Sequence, residues 1–159
     1  MRRGRLLSAF VGAIAGACVA LAPGVASAEG TSEQSTEGML ERDYAAGLKA
    51  IEASNWAEAI RLLSSAALRD TRNADIENYL GFAYRNSGDL SGAFLHYNRA
   101  LALNPRHRGA HEYIGEAYLM IGNRAKAEEH LAALRKICLL PCEEYGHLQK
   151  KFAEYSAPR

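Results

Sequence analysis

At 159 residues, with 48% apolar and 23% charged residues, the chain has the length of one domain. Its balance fits neither a disordered nor a membrane-spanning protein. The formal charge is +1, and removing a leader with three Arg and no acid leaves 16 basic against 18 acidic residues, a charge of −2. That excludes the basic footprint of a nucleic-acid binder.

Residues 1–28 read as a cleavable signal peptide. Arg2, Arg3 and Arg5 form a positive start, and Leu6 to Leu21 is an apolar run closed by Pro23-Gly24. Ala26-Ser27-Ala28 then supplies a small-x-small cleavage pattern, which places the cut after Ala28. A retained anchor is disfavoured because the run is short against the ~20 residues of a span. A lipidated Cys18 is disfavoured because the expected upstream Leu is missing. The chain is therefore expected to be exported, to the periplasm, with no stable span after cleavage. Export would put Cys138 and Cys142 in an oxidising compartment.

Residues 29–39 are polar and lack apolar periodicity, so they read as a flexible lead-in. From Leu40 the pattern changes. Tyr44, Ala45, Leu48 and Ile51 recur at helical spacing, then Ser54-Asn55 marks a turn in which Asn55 can cap a second helix. That second helix carries Trp56, Ala59, Ile60, Leu63 and Ala67. The next segment repeats the plan with Leu80-Gly81, Tyr84, a Gly88-Asp89 turn, Ala93, Tyr97, Ala100 and Pro105. A third copy follows with Ile114, Gly115, Tyr118, a Gly122-Asn123 turn, Ala127, Leu131 and Leu134. Gly47, Gly81 and Gly115 are 34 residues apart, as are Ala59, Ala93 and Ala127. A period of 34 with small residues at two fixed phases signals stacked helix-turn-helix units.

On these residues the stretch from Leu40 to about Pro141 resembles the tetratricopeptide repeat family. The resemblance implies an all-α solenoid of three repeats, 40–73, 74–107 and 108–141, with a C-terminal capping helix and tail over 142–159. It departs from the family where Asp43, Glu77 and His111 stand in place of the usual Trp, and where Ala46 and Ala50 replace Leu and Tyr. These losses weaken the first repeat most. In the terminal helix Tyr145, Leu148, Phe152 and Tyr155 form one apolar stripe, as a cap over the last repeat requires.

The resemblance also implies the working face. Carried over position by position, the first helix of each repeat lines a concave groove. The first repeat gives Glu41, Tyr44, Leu48, Ile51 and Glu52, and the second Asp75, Asn78, Phe82, Arg85 and Asn86. The third gives Gly109, Glu112, Glu116, Leu119 and Met120. An aromatic and Met surface of this kind suits a partner peptide or amphipathic helix. Related chaperone adaptors grip a C-terminal carboxylate with several bases. Here Arg85 is the sole basic groove residue on a largely acidic face, so that specificity is not expected. The alternative is that these residues solvate an unused face or bury against the N-terminal segment.

Resemblance to exported repeat proteins implies a structural disulfide between Cys138 and Cys142, with a redox-active pair as the alternative. The spacing is Cys-x-x-x-Cys rather than Cys-x-x-Cys, and no βαβ pattern surrounds it. His107, His111, His130 and His147 have no convincing ligand spacing, so no metal is expected. No phosphate loop, Gly-x-Ser-x-Gly elbow or paired-carboxylate signature is present, so neither an enzyme nor a cofactor is expected. The sequence points to a non-catalytic adaptor or assembly factor of the bacterial envelope. The alternatives are a self-assembling module, a possible homo-oligomer, and a redox or metal accessory protein using the Cys pair.

Overall fold

The computed structural model describes residues 29–140 and 142–156. The expected signal peptide over 1–28, Pro141 and the last three residues lie outside them. Seven helices follow in order: α1 Glu29–Glu52, α2 Trp56–Arg69, α3 Ala74–Ser87, α4 Leu90–Leu103, α5 Arg108–Met120, α6 Arg124–Ile137 and α7 Glu143–Ser156. Among the described residues there is no strand, and no helix is long and apolar enough to cross a membrane. The architecture is an all-α helical repeat in which α1/α2, α3/α4 and α5/α6 pack as antiparallel pairs and α7 follows.

The expected flexible lead-in is corrected. Residues 29–39 continue α1 without a break, even through Gly38. The physical reason is cooperativity. Once packing fixes Leu40 to Ile51 as helix, each residue added upstream gains a backbone hydrogen bond without a new nucleus.

The turns inside the three repeats are built by the predicted chemistry, and the turn before α3 follows the same plan. The side chains of Asn55, Asn73, Asp89 and Asn123 accept a backbone N–H from the first turn of α2, α3, α4 and α6. At α5 an imidazole does this work, with His107 Nδ1 accepting from the Ala110 N–H at 3.1 Å. Gly88 and Gly122 take φ of +93° and +76°, and Ser54 takes the same left-handed place in the first turn at +54°. A Cβ is strained there, at a cost of roughly 1–2 kcal/mol.

Three glycines set the distance between helices. A Cβ on Gly47 would lie 2.7 Å from Leu63, one on Gly81 2.5 Å from the Tyr97 ring, and one on Gly115 2.6 Å from Leu148. The 34-residue period puts Leu131 where Leu63 and Tyr97 stand, yet the atoms nearest the third glycine belong to Leu148 of α7. The core runs along the stack in the same rhythm. Leu63 meets Ile76 and Leu80, Tyr97 meets Ile114 and Ala117, and Leu134 meets Leu119, Leu148 and Phe152. Of the expected cap stripe, Leu148 and Phe152 are buried and Tyr145 is half-buried, while Tyr155 is exposed.

The residues that replace the family Trp are each answered by a polar partner from the second helix of the pair. Asp43 accepts from Arg69 at 2.9 Å. Glu77, almost fully buried, contacts His96 at 2.7 Å and Arg99 at 3.3 Å. His111 Nδ1 lies 2.9 Å from His130 Nδ1, while His111 Nε2 donates to the Pro105 carbonyl. Tyr84 stacks on His96, and Tyr118, one period later, stacks on His130. Burial and the facing His111 push the His130 imidazole down to about 4, so this pair is neutral near pH 7.

Two outcomes follow from the packing. Ser54→Gly relieves the left-handed strain and raises stability by up to about 1 kcal/mol, read as a higher thermal midpoint. Gly115→Val drives a side chain into Leu148, costs about 1–3 kcal/mol, and makes α7 the first segment released in limited proteolysis.

Candidate functional site

The first helix of each pair, α1, α3 and α5, forms the inner wall, and α7 extends it by packing chiefly on α5. Tyr44, Asn78 and Glu112 occupy one register position, 34 residues apart, on successive inner helices. Their environments differ. Tyr44 is half-buried against the first core cluster, 6.2 Å from the Tyr79 ring, and burial pushes its hydroxyl up to about 12. Leu48 and Ile51 are half-buried on the same helix, and Ile51 packs on the core.

Asn78 is only 4% exposed, and its Oδ1 is one of two buried side-chain atoms among the described residues without a hydrogen-bond partner. The other is Tyr97 Oη. Across from Asn78 stands Gly109, where an added Cβ would sit 3.2 Å from the amide nitrogen. Glu112 is 6% exposed, and its Oε1 meets His147 Nδ1 of α7 at 3.1 Å. Burial pushes the Glu112 carboxyl up to about 6 against the attraction of His147, with Glu116 and Glu144 adding to the rise.

Toward the helix C-termini an aromatic wall forms. Phe82 lies between Trp56, at 6.1 Å, and Tyr113, at 5.0 Å. The Arg85 guanidinium sits 5.4 Å from both the Phe82 and the Tyr113 ring and pairs with Glu116. Asn86 is exposed and donates to the Phe82 carbonyl at 2.8 Å. Beside this wall opens a cleft of about 630 Å³, which brings together Arg85, Asn86, Glu116, Leu119 and Met120 of the expected groove. Met120 is 60% exposed, whereas Leu119 is mostly core and presents only an edge.

The far side of that cleft is Lys151, Glu154 and Tyr155 of α7, three residues that sequence reasoning assigned to a cap and left out of the groove. Their signal was the departure of Gly115 from its periodic partner, which only the packing reveals. Trp56 and Tyr113 were likewise absent from the expected groove, because the repeat pattern assigns them to neighbouring positions.

The sulfurs of Cys138 and Cys142 lie 2.02 Å apart at the joint between α6 and α7. Leu139 and Leu140 between them are strongly exposed. Among the described residues no group of three or more His, Cys, Asp or Glu is arranged to hold a metal. The four histidines weighed as ligands are engaged elsewhere: His107 with Asp75, His111 with His130 and the Pro105 carbonyl, and His147 with Glu112.

The Glu112 environment has a measurable sign. The folded carboxyl titrates near 6, above its ordinary value near 4.5, so its ionised form costs stability that is absent below pH 4.5 and complete above 6. Glu112→Gln is therefore more stable than the parent by about 1 kcal/mol at pH 7.5 and equal to it at pH 4, in paired thermal melts.

Residues 74–107 match the tetratricopeptide repeat family. No curated protein matches the sequence. Among solved structures the chain is similar to the TPR2B domain of yeast Sti1 in its pHsp70 complex, at 18% identity over 74% of this chain and 96% of that one, with a TM-score of 0.69. It is similar to the first TPR of Spaghetti (RPAP3) bound to the HSP90 peptide SRMEEVD, at 18% identity over 76% and 95%, with a TM-score of 0.66. A third likeness is the type III secretion chaperone SycD of Yersinia enterocolitica with a peptide of the translocator YopD, at 16% identity over 73% and 88%, TM-score 0.64. The fold is an all-α helical repeat, and its central unit, residues 74–107, matches the tetratricopeptide repeat.

Proposed function

We propose that this chain is a non-catalytic protein-interaction module of the bacterial cell envelope, an adaptor or assembly factor that takes a segment of a partner protein into its concave face. The observation that carries the reading is the cleft of about 630 Å³ where the C-terminal ends of α3 and α5 meet α7. Its exposed Met120 and Tyr155 offer apolar contact, and Arg85, Glu116, Lys151 and Glu154 supply a polar rim. The Sti1, Spaghetti and SycD structures, of similar fold, were each solved in a complex, with pHsp70, with an HSP90 peptide and with a peptide of the translocator YopD.

The envelope location is supported by the leader pattern over 1–28 and by the adjacent sulfurs of Cys138 and Cys142. We assign that pair a structural disulfide that fixes where α7 departs from α6. Because α7 forms one wall of the cleft, the bond would act on the shape of the binding face and not on chemistry.

The test is in-cell photo-crosslinking from Met120, with Leu95 on the outer helix α4 as an equally exposed control. A discrete adduct from Met120 and none from Leu95 is the expected result. Equal adducts at both positions, or none, would reject the groove as the working site.

A further inference from the structure

Resting on the groove reading, we infer that the inner face selects a cationic segment: a stretch of a partner protein whose Lys or Arg is received by Glu112. Charge is divided across this fold. The inner helices α1, α3, α5 and α7 carry more acids than bases, whereas the outer helices α2, α4 and α6 carry more bases than acids. On the groove face itself stand Glu41, Glu52, Asp75, Glu112 and Glu116.

Arg85 is the sole base among those face positions, and it is already committed, while Lys151 on the α7 wall of the cleft is paired with Glu154. The Arg85 side chain is nearly buried, stacked on two rings and paired with Glu116. An acidic or carboxylate-ended segment would therefore have to break that pair inside an aromatic wall, which leaves a buried charge unmatched. A basic segment meets no such obstacle.

One further observation turns an acidic face into a site with an occupant. Glu112 is nine-tenths buried, and only one of its oxygens is met, by the exposed His147. Its Oε2 makes no hydrogen bond among the described residues and is not sealed from solvent. A carboxylate mostly withdrawn from water but still open at one oxygen attracts a cation more strongly than a fully exposed one. An ammonium or guanidinium entering the groove supplies the missing donor at that oxygen. Asp75, exposed beside His107, extends the same potential to the groove edge.

The test is selection of a random peptide library, displayed internally on phage so that no free carboxylate is offered, against the full chain. The peptide SRMEEVD serves as an acidic probe. The expected winners carry Lys or Arg in an apolar frame, weaken as salt is raised, and bind Glu112→Gln roughly tenfold or more weakly. That variant keeps its fold and gains stability, so weaker binding by it reports the site itself.

Winners that bind through Met120 but lack a base, or that bind Glu112→Gln equally, would overturn the charge inference while leaving the groove reading intact. Binding of SRMEEVD in preference to them would do the same. If no peptide is enriched, both readings fall. A concentration-dependent mass in sedimentation, abolished by Glu112→Gln, would give the face to a second copy and also overturn the inference.

Discussion

The spacing of the whole stack depends on contacts between a missing side chain and a large one. Gly47 receives Leu63, Gly81 receives the ring of Tyr97, and Gly115 receives Leu148. Each contact draws two helices closer than any Cβ would permit, and the buried alanines Ala59, Ala93 and Ala127 allow the second helix of each pair the same approach. Close packing then transmits the choice. Because Leu148 takes the third glycine, α7 is drawn onto α5 and becomes a further inner helix.

A second consequence of the packing is where polar groups are allowed to be. Three positions that hold Trp in the family pattern hold Asp43, Glu77 and His111 here, and a buried acid or imidazole needs a partner. Each finds one on the opposite helix: Arg69, then His96 with Arg99, then His130. The last two are one period apart, as are the tyrosines stacked on them. This seam spends the charges of Asp43 and Glu77 on the outer helices. Asp75, Glu112 and Glu116 face inward instead, where they meet His107, His147 and Arg85, and with Glu41 and Glu52 they give the groove its acidic character.

Most of the fold was legible from the chain, because a helical repeat states its geometry locally. Capping Asn and Asp residues, left-handed glycines and small residues at two phases each act within one or two turns of helix. The errors have physical causes. Residues 29–39 look structureless because their composition is polar, but they inherit helix from the packed segment downstream. Leu119 reads as groove by register and does line the cleft, but it is mostly core, packed with residues of α6 and α7. Lys151, Glu154 and Tyr155 were invisible as groove residues because their place depends on which helix fills the gap above Gly115.

What the sequence by itself determined is the repeat: its period, its turns, its inward-facing register, and Arg85 as the sole base among the groove positions of the three repeats. Those features follow from backbone preferences and from spacing along one helix, where cause and effect are a few residues apart. Tertiary structure alone decided that Arg85 is consumed by Glu116, that Asn78 is buried without a partner, and that α7 walls the cleft. Each of those depends on residues about thirty or more positions away, brought together by close packing, and no local rule specifies such a meeting.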